Sequence, residues 1–233
     1  MRLSIIVPVL NEATCIGAAL AALGPLRRHG HEVIVVDGGS SDGTPEVARG
    51  GADQVLTAPR GRASQMNAGA HAASGEVLLF LHADTLLPAG ADRAIEAGLT
   101  ATGRHRVWGR FDVHIAGASP VLPVIAWFMN LRSRASGIAT GDQAMFVRRE
   151  AFVRVAGFPE LGLMEDIAMS ARLERVSPPL CLRERVVTSG RRWERHGVLR
   201  TILLMWWLRL QFFLGVAPSR LARSYSKCHG DRN

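Results

Sequence analysis

The run Val33-Ile34-Val35-Val36-Asp37-Gly38-Gly39-Ser40-Ser41-Asp42-Gly43 decides how this chain folds. Val33, Ile34, Val35 and Val36 are all apolar and β-branched, with no polar residue alternating between them, which marks a strand buried on both faces, as in a parallel sheet. Asp37 and the glycines behind it put a carboxylate and a pliable turn at the strand's carboxyl edge, where open α/β sheets hold their ligands. A second apolar run, residues 77–81, ends in His82-Ala83-Asp84. Two acids at one sheet edge suit a nucleotide and a metal-bound diphosphate.

Outward from these runs, residues 3–9 and 54–56 also read as strands, and 32–36 is the strand already quoted. The segments between carry helical spacing, with Ile16, Ala19, Leu20 and Leu23 on one face. This β-α-β-α-β-α-β march predicts an α/β fold: a Rossmann-like, mostly parallel sheet flanked by helices and wound right-handed. Farther on, residues 107–115 read as a strand, 120–136 as an apolar helix, 144–147 as a short strand, 149–155 as a helix and 165–175 as an amphipathic helix. No Pro/Ser-rich linker divides the chain, so residues 1–103 are expected to form a nucleotide-binding half and 104–197 the acceptor half of one domain.

Residues 198–216, VLRTILLMWWLRLQFFLGV, are rich in Trp and Phe but interrupted by Arg200 and Arg209, and are expected to form a C-terminal amphipathic helix, its tail running to residue 233. The uninterrupted apolar length falls short of the roughly 20 residues that span a bilayer. Two placements stand: in a membrane interface with Trp and Arg at headgroup level, or packed on the chain's own sheet or on a second subunit as a homodimer.

The 233 residues are 48% hydrophobic and 21% charged, the composition of a folded protein. The net charge of +8 gathers in the second half, where Arg183, Arg185, Arg191, Arg192, Arg195, Arg200 and Arg209 crowd together. A phosphate-rich substrate or an anionic membrane suits such a surface. No nucleic acid partner is expected, because zinc-finger spacing and aromatic RNA-binding signatures are missing and there is one Tyr. Cys15, Cys181 and Cys228 lie far apart with no C-x-x-C pair, which argues against disulfides and zinc. Met1 leads into a strand-like segment without an export signal, so the expected compartment is the cytoplasm, with peripheral attachment at the inner membrane if residues 198–216 reach it.

Residue by residue, Asp37 can accept the imide N–H of a uracil-like base while Gly38 and Gly39 let the backbone approach it. Ser40 and Asp42 equally suit the N-cap of a following helix. Arg60-Gly61-Arg62-Ala63-Ser64-Gln65-Met66-Asn67 opens a helix after the third strand, so its arginines can face a diphosphate or simply water. Glu165 and Asp166 complement the dipole of the helix they begin, whatever else they do. Asp142, in Gly141-Asp142-Gln143, is placed to meet a donor or acceptor sugar. Arg191, Arg192 and Trp193 read as a Gly-flanked loop, closing over a ligand or exposed, and His196 is a lone His that could complete a metal sphere or ligate nothing.

Val7-Pro8-Val9-Leu10-Asn11-Glu12 resembles the V-P-x-x-N-E opening of family-2 glycosyltransferases, and residues 37–43 resemble their D-[GD]-x-S-x-D-G-[ST] turn. Residues 60–67 resemble their G-x-x-x-A-x-N element, and His82-Ala83-Asp84 stands where they carry a D-x-D metal motif. Gly157-Phe158-Pro159 followed by Met164-Glu165-Asp166 resembles their G-G-F-x-x-x-x-x-E-D segment, and the likeness runs from residue 3 to about 176. It implies the GT-A fold and an inverting enzyme that moves a sugar from a nucleoside diphosphate sugar, a UDP-sugar favoured, to a hydroxyl acceptor, small or lipid-like. Carried onto this chain, it implies donor binding by Pro8, Asn11, Glu12, Asp37, Gly38, Gly39, Ser40, Asp42, Arg60, Arg62, Gln65, Asn67, Asp84 and Arg191. It implies Asp166 as general base, with Glu165 and Asp142 beside it.

His82 stands in place of the first acid of the metal motif, so Asp84 is the expected ligand to Mg2+ or Mn2+, with His82 second, on the same side if the segment is extended. The compact size, the R-G-R-A-x-Q-M-N element, the G-D-Q segment and the M-W-W-L-R-L tail resemble a small bacterial subgroup labelled arsenosugar-biosynthesis glycosyltransferases. Two other readings stand beside this one. A sugar-1-phosphate nucleotidyltransferase would open with a Gly-rich loop after the first strand, which Pro8-Val9-Leu10-Asn11-Glu12 lacks; a catalytically inactive membrane-surface relative is opposed by Asp84 and Asp166.

Overall fold

A computed structural model describes residues 1–101 and 106–229, with the backbone alone at 192, 195, 196, 199, 219 and 226–229. The expected boundary between the halves, at 103/104, lies outside the described residues. The strands are β1 (Leu3–Val9), β2 (Glu32–Asp37), β3 (Gln54–Thr57), β4 (Val77–Phe80), β5 (Thr85–Leu86), β6 (Trp108–Ala116), β7 (Phe146–Arg148) and β8 (Leu180–Ser189). They form one sheet in the order β3-β2-β1-β4-β7-β6-β8-β5. The helices are α1 (Ala13–Arg28), α2 (Thr44–Ala48), α3 (Arg62–Ala72), α4 (Ala91–Thr100), α5 (Leu122–Ser136), α6 (Arg149–Arg154), α7 (Glu165–Glu174), α8 (Arg191–His196), α9 (Val198–Phe213) and α10 (Pro218–His229).

The first three βα units and β4 form as the sequence pattern predicts. β1 pairs parallel with β2 and β4, and β2 with β3. Successive side chains of a strand point to opposite faces. Ile5, Val7, Val9, Val33 and Val35 therefore share a core with Ile16, Leu20 and Leu23 of α1, while Ile6, Ile34 and Val36 pack on Ala63, Met66 and Ala70 of α3. Helix α3 lies so close that a Cβ on its Gly69 would come within 2.5 Å of Ile6 Cγ2.

The strand order 3-2-1-4 reverses direction at β1, the position at which α/β sheets open a crevice beyond their carboxyl ends. β1 is registered with β4 only as far as Ile6, opposite Phe80, whereas Pro8 stays opposite Val36 of β2. A proline, which has no N–H to give, is tolerated where the β4 partner has already departed.

The second half departs from a parallel march. β7 inserts antiparallel between β4 and β6, β6 runs parallel to β8, and the two-residue β5 pairs antiparallel with the end of β8. Arg191, Arg192 and Trp193, expected in a loop, begin the short helix α8, and a second C-terminal helix, α10, follows α9. None of the described helices is long and apolar enough to cross a membrane.

At the sheet's other end, away from the crevice, buried Glu32 accepts hydrogen bonds from the hydroxyls of Ser4 and Ser74 and from the Gly75 N–H at 3.0 Å. Burial works to raise this carboxyl, and the donors outweigh it, holding it below the usual carboxylate range. Its contribution to stability is thus present above the ordinary carboxylate pKa and is lost as pH falls through the lowered value.

Candidate active site

Asp37 closes β2, and the turn after it is built on one of its two carboxylate oxygens. Oδ2 accepts the N–H groups of Gly39 at 2.8 Å and Ser40 at 2.9 Å, while Oδ1 is buried and has no partner among the described residues. A buried acceptor left unmet costs about 1–3 kcal/mol, so this oxygen stands ready for a ligand N–H. Gly39 needs its positive φ of 92°, and Gly38 lies against the Gln65 amide, 3.1 Å from where a Cβ would stand.

Around Asp37, several predicted donor-side residues brace the loops. Asn11, at φ 55°, donates its N–H to the Ser40 hydroxyl oxygen at 2.8 Å, and its side-chain oxygen accepts the Ser41 N–H at 2.9 Å. Asp42 accepts N–H bonds from Ala13 at 3.0 Å and Thr44 at 3.1 Å, so it ties the start of α1 to the start of α2. The Glu12 N–H donates to Thr44 Oγ1 at 2.8 Å. Gln65 donates its amide to the carbonyls of Val9, the last residue of β1, and Val36, the last but one of β2, at 2.7 and 2.8 Å. Asn67 exchanges two 2.9 Å hydrogen bonds with the backbone of Phe158. Arg60 and Arg62 stand exposed at the entry to α3.

His82-Ala83-Asp84 is not extended: β4 ends at Phe80, and the Thr85 N–H returns to the His82 carbonyl at 3.1 Å, closing a turn. Strand alternation therefore does not set His82 beside Asp84. The His82 ring turns to Asp142, Nδ1 to Oδ1 3.4 Å, and packs on Gly141, where a Cβ would lie 2.5 Å from Nε2. Among the described residues the Asp84 side chain receives only a long 3.5 Å contact from the Thr85 hydroxyl on Oδ1, and its backbone carbonyl accepts the Ser189 N–H at 3.2 Å. No group of three or more His, Cys, Asp or Glu able to hold a metal occurs among the described residues. One lightly engaged carboxylate nevertheless fits Mg2+ or Mn2+, which bind through one or two carboxylates, substrate phosphates and water.

Gly141 links the His82–Asp84 turn to the start of α7. Its N–H donates to Asp166 Oδ2 at 3.0 Å, while Asp166 Oδ1 accepts the Ile167 N–H at 2.7 Å, and the two bonds fix the carboxylate's orientation. His82, Gly141, Glu165 and Asp166 line one small cleft with Met66, Phe80, Met145 and Phe158. Burial, then the Asp166 charge, pushes the Glu165 carboxyl up toward its neutral form, while Arg62 pulls it the other way.

Arg191 reaches the opposite wall. Its Nε lies 3.2 Å from the Ser189 hydroxyl, and it also bears on Cys15, whose thiol donates to Glu12 Oε2 at 3.0 Å. Burial, then the Glu12 hydrogen bond, pushes that thiol up to about 12, which makes it no nucleophile near neutral pH. The His196 side chain lies outside the described residues.

Sequence reasoning missed Arg132 on α5, which lies toward Asp166 together with Arg209 of α9; the signal available was an arginine set among apolar residues in each of two largely apolar helices. On their outer faces the same helices expose Trp127 and Phe128, and Trp206, Trp207 and Phe213.

Comparison with known proteins agrees with this geometry. The family model described as Glycosyl transferase family 2 matches residues 4–157. Glycosyltransferase AglE of Haloferax volcanii is 29% identical over 178 residues, covering 67% of this chain and 55% of AglE. The chain thus spans about half the length of that relative. Among solved structures, the mannosyltransferase PcManGT of Pyrobaculum calidifontis, in complex with GDP-Man and Mn2+, superposes with a TM-score of 0.64 at 22% identity, over 98% of this chain and 70% of its own. Residues 1–349 of S. aureus TarS, in complex with UDP-GlcNAc, give 0.64 at 19% identity, over 81% of this chain and 58% of that one.

Proposed function

Because the chain belongs to glycosyl transferase family 2, matched over residues 4–157, and has the GT-A fold, we propose that this glycosyltransferase moves a sugar from a nucleoside diphosphate sugar to a hydroxyl acceptor with inversion at the anomeric carbon. The observation that carries the reading is the buried, unpartnered Oδ1 of Asp37 at the β1/β4 crevice. It suits the ring N–H of uracil or guanine, with Gly38 and Gly39 clearing the approach. PcManGT and TarS, with GDP-Man and UDP-GlcNAc bound, support a donor of that class.

In this reading Arg60 and Arg62 face the diphosphate at the start of α3, and Asp84 would hold Mg2+ or Mn2+, while His82 pairs with Asp142. The cation supplies charge neutralisation for the leaving nucleoside diphosphate. Asp166, held by Gly141 and Ile167, takes the proton of the acceptor hydroxyl as it attacks C1 from the face opposite the nucleotide. Glu165 and Asp142 flank the reacting groups. The exposed aromatics of α5 and α9 support a site that opens beside a lipid surface.

Incubation with UDP-glucose, UDP-GlcNAc and GDP-mannose in Mn2+, followed by proton NMR before mutarotation, tests the reaction with water as slow acceptor. The expected result is release of the nucleoside diphosphate and a first-formed sugar whose anomer is opposite to the donor's. A first-formed sugar of the donor's own anomer would exclude Asp166 as the base of a single displacement.

A further inference from the structure

Helices α5 and α9 turn apolar side chains outward and each sends one arginine toward Asp166, and no described residue engages those arginines fully. Nη2 of Arg132 and Nε of Arg209 are closed off from water and have no hydrogen-bond partner among the described residues. By contrast, Arg134 of α5 reaches Asp112 at 2.7 Å, and Arg110 pairs with the same carboxylate, although the Arg110 Nε is likewise buried without a partner among the described residues.

The position of Arg209 is set by packing. Leu208, fully buried, shares a cluster with Met164 and Ile167, the residues that bracket Glu165 and Asp166, and Ile138 just beyond α5 joins it. The α10 helix closes on the same region, with Ala222 Cβ 3.1 Å from where a side chain on Gly162 would begin. The arginine pair is therefore fixed over the start of α7, whereas Asp37 and its free oxygen stand at the end of β2.

We infer that Arg132 and Arg209 form a subsite for a phosphate group carried by the acceptor, holding it beside Asp166. The inference deepens the proposed glycosyl transfer and rests on it. Guanidinium forks from two separate helices match the several oxygens of a phosphate. Burial, then the Arg209 charge, brings Arg132 down to about 10, and burial lowers Arg209 as well, although Asp166 pulls both back up. The nearby acids offset this only in part, and an oxyanion between the arginines relieves it. The phosphate can belong to a soluble monoester or to a lipid, whose chain would meet the outer faces of α5 and α9.

The test is calorimetric titration of inorganic phosphate into the full chain, alone and saturated with UDP or GDP and Mg2+, the nucleotide titration reading the donor assignment separately. Saturable phosphate binding is expected, weakened about tenfold or more in Arg132→Gln and Arg209→Gln and unchanged in Arg134→Gln. Thermal unfolding checks each variant, with Arg132→Lys and Arg209→Lys used where a glutamine variant does not fold. Flotation with phosphatidylcholine vesicles, with and without phosphatidic acid, then separates the sources. A phosphatidic acid preference that the glutamine variants lose identifies a lipid phosphate; glycerol 3-phosphate binding that they weaken, with no such preference, identifies a soluble one. Phosphate and phosphatidic acid binding that ignore both arginines would overturn the subsite, even if nucleotide binds as proposed.

Discussion

Replacing Asp166 by Asn is expected to lower kcat by about 1,000-fold, the range of a lost general base, and to leave nucleoside diphosphate affinity within about twofold. The separation follows from placement. Asp166 lies at the start of α7, its oxygens on the N–H groups of Gly141 and Ile167, whereas Asp37 closes β2 and is braced through Asn11, Ser40 and Gln65. Asparagine keeps one acceptor oxygen, and so one of the two backbone N–H bonds, while the proton acceptor is gone. Steady-state turnover of the active donor, with nucleotide affinity measured in parallel, checks this. A kcat within tenfold of wild type would remove Asp166 as base, and a matching loss of nucleotide affinity would mark its role as structural.

The nucleotide side has its own expected loss: Asp37→Ala weakens binding of the preferred nucleotide by about 10- to 100-fold, because a charged acceptor for the base N–H disappears. The alanine also frees the N–H groups of Gly39 and Ser40, so the turn loosens and glycine freedom returns at φ 92°. The control for that indirect effect is chemical rather than genetic. If UDP is the preferred nucleotide, N3-methyl-UDP should bind the wild type as weakly as UDP binds Asp37→Ala, since either change removes the same hydrogen bond. Calorimetry that finds N3-methyl-UDP bound as tightly as UDP would show that Asp37 does not read the base.

How much of this was legible depended on whether a feature is written in local pattern or in distant partners. The runs at Val33 and Val77 announced strands because strands buried on both faces must be apolar throughout. Thr85 and Leu86 announced nothing, since β5 exists only through pairing with Thr188 and Val187. The six residues of α8 are too few and too charged to show a helical period, and so read as loop. At the site, Asp37, Asp84 and Asp166 stood out as acids at element ends. Gln65, Asn67 and Asp42 stood out equally, and their hydrogen bonds to backbone groups of other segments also brace the loops, which spacing cannot reveal. His82 shows the reverse failure: alternation paired it with Asp84, but a turn sends it to Asp142.

The account stands most directly on calorimetric titration of UDP and GDP in Mn2+ and in chelator, on the wild type and on Asp84→Ala. The expected result is binding of one nucleotide in Mn2+ that falls by about tenfold or more in chelator and equally in Asp84→Ala, whatever the metal added. Equal affinity in all four conditions would contradict a diphosphate held through a cation at Asp84, and the absence of any nucleotide binding would contradict the donor site itself.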